Sequence, residues 1–208
     1  MSTATATATT TRAALHPLLQ ERRSTRAFDP SPVAGDALLA LLEAARWAPS
    51  ARNDQPWRFL VGRLGDPTHE RIFATLGGGN RAWAGSAPLL VAALVRVRED
   101  DGSDRPVGPY ELGLAVAQLS LQAAALDLSV HQIGGFDADA LAEQFDVPSG
   151  YRAVTVLAIG REGDAAGLPD WARAREGAPR TRLPLDEIAF AGRYGVPLDL
   201  DVRAADAA

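Results

Sequence analysis

The sequence lacks two residue types altogether, cysteine and lysine. Without cysteine the chain can have no disulfide framework, no thiolate nucleophile and no cysteine-ligated zinc or iron–sulfur site. Only three histidines occur, His16, His69 and His131, and they lie far apart in the sequence. We therefore expect no metal site. The net charge of −5 argues weakly against broad nucleic-acid binding, and we expect no nucleic-acid partner.

All 21 basic residues are arginine. A GC-rich genome favours arginine codons, and the many alanine, glycine and proline residues agree with that explanation. The bias alone therefore carries no functional meaning. Individual arginines still differ from lysines, because a guanidinium group binds a carboxylate or a phosphate at two points. Each arginine has to be considered at its own position.

The length of 208 residues and the hydrophobic content of 47% indicate one domain with a sizeable core. Residues 1–11 are a threonine- and alanine-rich stretch without a leucine-rich signal segment, so we predict a disordered tail there. We place the domain at residues 12–190 and a C-terminal extension at 191–208. The apolar stretch from Tyr110 to Val130 is interrupted by polar residues, which disfavours a membrane span. We expect a cytoplasmic protein that does not bind membranes.

Hydrophobic periodicity predicts an irregular series of helices and strands. Helices are predicted at 15–21, 36–46, 66–76, 110–130 and 137–145, and strands at 57–61, 87–95 and 153–159, with an extended arm after Gly160. The elements do not alternate as a doubly wound fold requires, so an α+β sheet flanked by helices fits better. Apolar residues occur all round the long helix, and a chain of this size has little material to cover it. Dimerisation is the economical explanation.

Two polar segments in the first third of the chain could bind a ligand. Residues 22–26 place three arginines and Ser24 within five positions, which could surround a dianion, although a solvated basic turn has the same pattern. In residues 49–57 the amides of Asn53 and Gln55 point to the same side if the chain is extended, and could read the edge of a polar ring. The alternative is a loop whose amides satisfy their own backbone.

Two further segments follow later in the chain. Residues 131–137 contain Gly134 and Gly135, which let backbone N–H groups approach a ligand, although glycine is also usual just past a helix end. Arg180 and Arg182 point the same way on an extended arm and could reach a phosphate, or could belong to a basic surface strand.

Two familiar motifs are rejected. Residues 77–82 match the dinucleotide-binding pattern G-x-G-x-x-G/A, but that motif needs a preceding strand, and the residues before Gly77 look helical. The serine hydrolase motif G-x-S-x-G does not occur.

Taken together and in order, the motifs resemble the nitroreductase family of FMN-dependent oxidoreductases. The resemblance runs from about Leu18 to about Ile188. Its matching segments are 22–28, 48–57, 80–84, the helical residues 114–126, 132–137 and 180–184. It implies a three-layer α+β fold, with a mixed β-sheet flanked by helices, in an intertwined homodimer that holds two FMN sites at its interface.

The resemblance also implies which residues hold the cofactor. They are Arg22, Arg23, Ser24, Arg26, Pro49, Ser50, Ala51, Asn53, Gln55, Gln132, Ile133, Gly134, Gly135, Arg180 and Arg182. The arginines and Ser24 would hold the phosphate and ribityl chain. Asn53 and Gln55 would hydrogen-bond the flavin near its pyrimidine side and N5. Pro49, Ser50 and Ala51 would contribute by backbone and packing, in the family often from the other subunit, and residues 132–134 would lie along the ring.

The implied activity is FMN-dependent transfer of hydride from NAD(P)H, through flavin N5, to a nitroaromatic, a quinone or a similar small acceptor by ping-pong turnover. The flavin carries this chemistry, so no side chain is named as catalytic.

Alternatives on the same fold are a flavin-binding carrier or sensor without turnover, and an enzyme with a specific carbonyl or enone substrate. A phosphate-binding module without flavin is a further alternative. Gly134 stands where enteric-type members have glutamate, which leaves the choice between NADH and NADPH open.

Overall fold

The computed structural model describes residues 15–199. Its sheet has four strands in the order β1-β2-β4-β3. The strands are β1 Trp57–Arg63, β2 Leu89–Arg96, β3 Ser129–Ile133 and β4 Tyr151–Gly160. The helices are α1 Pro17–Glu21, α2 Gly35–Arg46, α3 Pro67–Ala74, α4 Gly78–Ala84, α5 Gly108–Ala125, α6 Ala138–Gln144 and α7 Asp170–Glu176.

The expected α+β class is confirmed, but within the described residues every pair of neighbouring strands is antiparallel rather than mixed. The cause is the position of β4. The crossover from β2 through α5 to β3 makes β2 and β3 parallel, but β4 lies between them and is antiparallel to both. The parallel relation therefore joins strands that are not neighbours.

Helices cover both faces of the sheet, which gives the expected three layers. On one face Leu89 and Val91 of β2 pack with residues of α2 and α5. On the other face Leu90 and Ala92 pack with residues of α3, α4 and α6. The first seven residues of β2 are buried without alternation, as the continuous apolar run predicts for a strand covered on both sides.

The long helix is shorter than predicted. It ends at Ala125 instead of Val130, because Asp127 adopts a left-handed φ of 55° and Leu126 and Leu128 both donate to the carbonyl of Ala123. The chain then enters β3 at Ser129. The apolar run is continuous across this boundary, so periodicity did not separate the helix from the strand. Two other helices, α4 and α7, were also missed, and α7 lies in the segment predicted to be an extended arm.

Within one chain α5 is covered on one side only. The buried residues include Leu112, Ala115, Leu119 and Ala123, at helical spacing against the sheet. Tyr110, on the other side, is 71% exposed. Gly113 and Ala117 are also exposed and Leu114 is half-buried. The prediction that the helix is covered on nearly every side is thus not met by the chain itself.

The described chain divides into two units. The first, His16–Gly177, contains all seven helices and all four strands named above. The second contains the residues from Ala178 onwards, where Ala191 N donates to Val196 O and Leu198 N to Ala189 O. The predicted tail at residues 1–11 lies outside the described residues. None of the helices found between residues 15 and 199 is long and apolar enough to cross a membrane.

Gly62→Ala should destabilise the protein strongly, because α3 starts directly against β1. A Cβ atom at Gly62 would lie 2.4 Å from the backbone nitrogen of His69 and 2.5 Å from its Cα. Backbone cannot move aside as a flexible side chain can, so we expect a loss of about 1–3 kcal/mol in the free energy of unfolding, measured by urea denaturation. Gly79→Ala in α4 is the control, since a Cβ there meets nothing within 4 Å. Equal stabilities of the two variants would contradict the close packing of α3 against β1 at Gly62.

Candidate functional site

The segment Arg22–Arg26 leads from α1 towards Phe28, which bridges to Glu162. Arg22 Nη1 donates to Ser24 Oγ at 3.2 Å, so these two side chains lie on one side of the segment. Thr25, between Ser24 and Arg26, is buried and faces the protein. The segment thus presents Arg22 and Ser24 together, as alternation along an extended chain predicts.

A residue that the sequence reasoning did not single out, Glu176 at the end of α7, holds this segment. Its carboxylate accepts hydrogen bonds from Thr25 Oγ1 and the Arg26 backbone nitrogen, both at 2.9 Å, and forms a 3.5 Å ion pair with Arg26 Nη1. Arg23 Nη2 donates to the Glu176 carbonyl at 2.9 Å, which satisfies one of the free carbonyls at the helix end. A negative side chain is unfavourable at a helix C-terminus, and these two arginines compensate for it.

The same segment is joined to β3 through His131. Its Nδ1 lies 2.9 Å from the carbonyl oxygen of Thr25, and because a carbonyl only accepts, Nδ1 carries the proton. Burial lowers the pKa of His131, and the nearby Arg26 lowers it further, so the ring is mostly neutral at pH 7. The ring centroid of Trp83 lies 4.5 Å from that of His131, and Arg26 Cζ lies 5.9 Å from the Trp83 ring.

The strand brings the predicted residues 132–135 to the same region. Gln132, Gly134 and Gly135 are exposed, whereas Ile133 is 1% exposed and packs into the core. Ile133 can therefore offer only its backbone to a ligand. A Cβ at Gly134 would meet nothing within 4 Å.

Residues of the segment before β2 also reach this region. The Gly135 carbonyl accepts from Asn80 Nδ2 and from Gly77 N, both at 2.9 Å. The Nε1 atom of Trp83 is buried and has no hydrogen-bond partner among the residues described. A buried donor without a partner costs free energy, and the ring that carries this one packs against His131 of β3 and lies near the Arg26 guanidinium. Neither Asn80 nor Trp83 was among the predicted site residues, although both belong to a segment that carries the resemblance.

The predicted loop at residues 49–55 is strained and closely hydrogen-bonded. Arg52, Asn53 and Gln55 have positive φ angles of 55°, 61° and 47°. Such conformations cost about 1–2 kcal/mol for a residue other than glycine, although asparagine adopts them more readily. The backbone nitrogen of Gln55 donates to Ser50 Oγ at 3.0 Å, and its side-chain amide donates to the Asn53 carbonyl at 3.0 Å. The Gln55 amide thus satisfies the loop's own backbone, while Asn53 is exposed.

The two predicted halves of the site lie at opposite ends of α5. The loop lines a hollow of about 340 Å³ together with Tyr110, Glu111 and Leu114, in the first half of the helix. Arg22 and Arg23 line another hollow, of about 260 Å³, with Ala124 and residues just after the helix. Ala124 lies 13 positions after Glu111, or about 20 Å along the helix at 1.5 Å per residue. The chain therefore brings residues 22–26 beside His131 of β3, the strand that ends at Ile133, but not beside residues 49–55.

The remaining predicted residues, Arg180 and Arg182, belong to the second unit of the chain. Both are exposed, and Arg182 Nη1 donates to the carbonyl of Thr181 at 2.6 Å.

Glu176→Gln should weaken the attachment of the arginine segment to α7. A glutamine can accept at one atom only, so one hydrogen bond to Thr25 or Arg26 is lost along with the ionic contact. We expect the free energy of unfolding to fall by about 1.5–3 kcal/mol in urea denaturation. The matched control is Asp170→Asn on the same helix, whose side chain is 94% exposed and pairs with Arg173. That change should cost less than about 0.5 kcal/mol, and a similar loss in both variants would contradict the role given to Glu176.

Known proteins resemble this chain in both sequence and fold. A Mycolicibacterium smegmatis protein, named as an uncharacterized 15.4 kDa protein, is 39% identical over 153 residues, covering 68% of this chain and 99% of its own length. A Leptothrix cholodnii protein with the provisional name NADH dehydrogenase/NAD(P)H nitroreductase is 32% identical over 178 residues, covering 74% of this chain and 88% of its own. A crystal structure described as an oxidoreductase containing FMN superposes with a TM-score of 0.84 at 35% identity, over 89% of this chain and 95% of its own.

The family model of the nitroreductase family matches residues 19–66 and 63–161. The matched ranges include the arginine segment, the strained loop and the end of β3, which are the parts of the site that lie in the first unit. The chain belongs to the nitroreductase family of oxidoreductases.

Proposed function

We propose that the protein is an FMN-dependent oxidoreductase that passes hydride from NAD(P)H to a nitroaromatic, a quinone or a similar small acceptor in a ping-pong cycle. The observation that carries the proposal is the meeting of the arginine segment with β3, where Thr25 and Arg26 lie beside His131 and Trp83. The FMN-containing structural neighbour supports the cofactor, and the name of the Leptothrix cholodnii relative supports NAD(P)H.

The arginine segment fits a phosphate group. Arg22 and Ser24 offer donors on one side of the chain, and charge-assisted hydrogen bonds to phosphate are among the strong ones. Arg23 and Arg26 already bond to Glu176, so they would contribute mainly long-range charge and a fixed backbone. The role of Arg180 and Arg182 in phosphate binding stays a prediction from the resemblance.

The region around β3 fits the flavin ring. The buried Nε1 of Trp83 would gain an acceptor at a polar edge of the ring, which would remove the cost of leaving it without a partner. Gly134 leaves space for a flat ligand to approach the backbone of Gln132, Ile133 and Gly134. Asn53 and Gln55 would contact the ring from the strained loop, with Pro49, Ser50 and Ala51 packing beside it.

Bound FMN would supply the hydride chemistry at its N5 atom. The protein's own residues then have to fix the ring, donate hydrogen bonds to it and leave one face open. The proposal assigns His131 no role as an acid or base; its Nδ1–H donates to the Thr25 carbonyl. It positions the arginine segment against β3 instead.

The proposed site needs a homodimer. Since the loop and the arginine segment lie at opposite ends of α5, two chains with antiparallel α5 helices would bring the loop of one beside the arginine segment of the other. The side of α5 that carries the exposed Tyr110 and Ala117 and the half-buried Leu114 offers a surface for that contact. Two FMN sites would then lie at the interface.

Leu114→Glu should weaken both the dimer and the binding of FMN, because a charge on the apolar side of α5 would be buried without a partner. Sedimentation velocity should give a dimer for the wild type and a shift to monomer for the variant, with FMN affinity lost in parallel. Leu64→Glu, at an exposed leucine after β1, is the control and should remain dimeric. A wild-type monomer that retains FMN would refute the shared site.

The proposed activity predicts that purified protein is yellow, or becomes yellow on addition of FMN, and bleaches under anaerobic NADH or NADPH. Bleaching followed by reoxidation with a quinone or a nitroaromatic would establish both halves of the cycle. A yellow protein that neither nicotinamide reduces would indicate a carrier or sensor. A colourless protein that rejects FMN would overturn the proposal and favour a phosphate-binding module.

A further inference from the structure

We propose that Glu111 and Arg105 are positioning residues that hold the strained loop Ser50–Gln55 in the shape that presents Asn53 and Gln55 to the flavin. This inference rests on the proposed function. Neither residue lies in a recognised motif of the sequence. They are identified by a buried ion-pair network that joins α5 to this loop.

The two carboxylate oxygens of Glu111 have different partners. Oε1 accepts the backbone N–H of Ala51 at 2.7 Å, and Oε2 accepts from Arg105 Nη2 at 2.9 Å. The side chain of Glu111 is only 4% exposed. A buried carboxylate requires partners of this kind, and one of its two partners is the loop backbone itself.

Arg105 contacts the loop from a second direction. Its Nη1 donates to Asp54 Oδ2 at 2.9 Å and to Glu99 Oε1 at 2.8 Å, and its side chain is 1% exposed. Burial lowers the pKa of the guanidinium, but the hydrogen bonds with Glu111, Asp54 and Glu99 raise it on balance above its usual value. The hydrogen bond from Arg105 also lowers the pKa of Asp54. The cation and its partner on the loop therefore stay charged at neutral pH.

The network is fixed to the sheet. Arg105 N donates to the Val97 carbonyl at 2.8 Å, just after β2. A Cβ at Gly108 would lie 2.5 Å from the Arg96 carbonyl oxygen, so the start of α5 packs directly against the end of that strand. The loop is thereby connected to the most buried strand of the protein through Arg105 and Glu111.

The loop needs an external support of this kind. Residues 51–53 are exposed, and Arg52, Asn53 and Gln55 have positive φ angles. Such a conformation persists only where its surroundings determine it. Replacing a buried ion pair with apolar residues is often neutral or stabilising, so the pair is poorly explained by stability alone. A role in holding the loop explains why Glu111 binds Ala51 and Arg105 binds Asp54.

The test compares Glu111→Gln with the wild type, in the apoprotein and with FMN. Glutamine has the same shape, but it cannot accept from both Ala51 and Arg105. Hydrogen exchange of the apoprotein should speed up in residues 51–55 and not in β2 or β4. The dissociation constant for FMN should rise about tenfold, and the visible circular dichroism of the bound flavin should change. Asp100→Asn is the matched control, since Asp100 pairs with Arg96 but its side chain is 99% exposed.

The outcomes separate this inference from the proposed function. If the wild type binds no FMN, the proposed function fails and the positioning role fails with it. If the wild type binds FMN and Glu111→Gln loosens the loop without changing affinity or the flavin spectrum, the positioning role alone is refuted. A variant that loses thermal stability but keeps both loop exchange and FMN affinity would also refute it. Arg105→Met/Glu111→Leu should fold and still bind FMN weakly, and wild-type affinity in that variant would contradict the inference.

Discussion

The arrangement of the candidate site depends on α5, because this helix both fills the core and separates the two halves of the site. One side of the helix packs against the sheet through Leu112, Ala115 and Leu119. Its first half borders the loop at residues 49–51, and its last turn borders Arg22 and Arg23. A helix that must cross the whole sheet cannot also bring its two ends together. Glu111 and Ala124, the helix residues that border the two half-sites, therefore lie about 20 Å apart along the helix.

Each half-site is held by one carboxylate from a distant helix. Glu176 accepts the backbone N–H of Arg26 and pairs with its guanidinium, while Glu111 accepts the backbone N–H of Ala51 and pairs with Arg105. In both cases the carboxylate fixes a backbone position and is neutralised by an arginine. Irregular segments offer few backbone hydrogen bonds of their own, so this arrangement gives them a defined shape without making them part of a helix or strand.

Local sequence patterns predict the parts of the fold that depend on interactions between neighbouring residues, such as a continuous apolar run or a helix cap. The apolar run at 87–95 gave β2, and Asp137 caps α6 as its position suggested, accepting from Ala140 N. Patterns did not separate α5 from β3, because the apolar run crosses their boundary, and they did not find α7. The hydrogen bonds of Glu176 and Glu111 join residues about 150 and 60 positions apart, so no spacing rule could identify them. The resemblance predicts the site segments, but it does not identify what holds them.

The absence of lysine has a structural consequence at these two carboxylates. Arg105 reaches Asp54, Glu99 and Glu111 through two nitrogens of one planar group. A lysine would have to make these contacts from a single nitrogen, which cannot lie on two sides of the network at once. Arg23 and Arg26 similarly reach the carbonyl and the carboxylate of Glu176. Arginines that a phosphate motif alone would assign to ligand binding therefore also shape the segment.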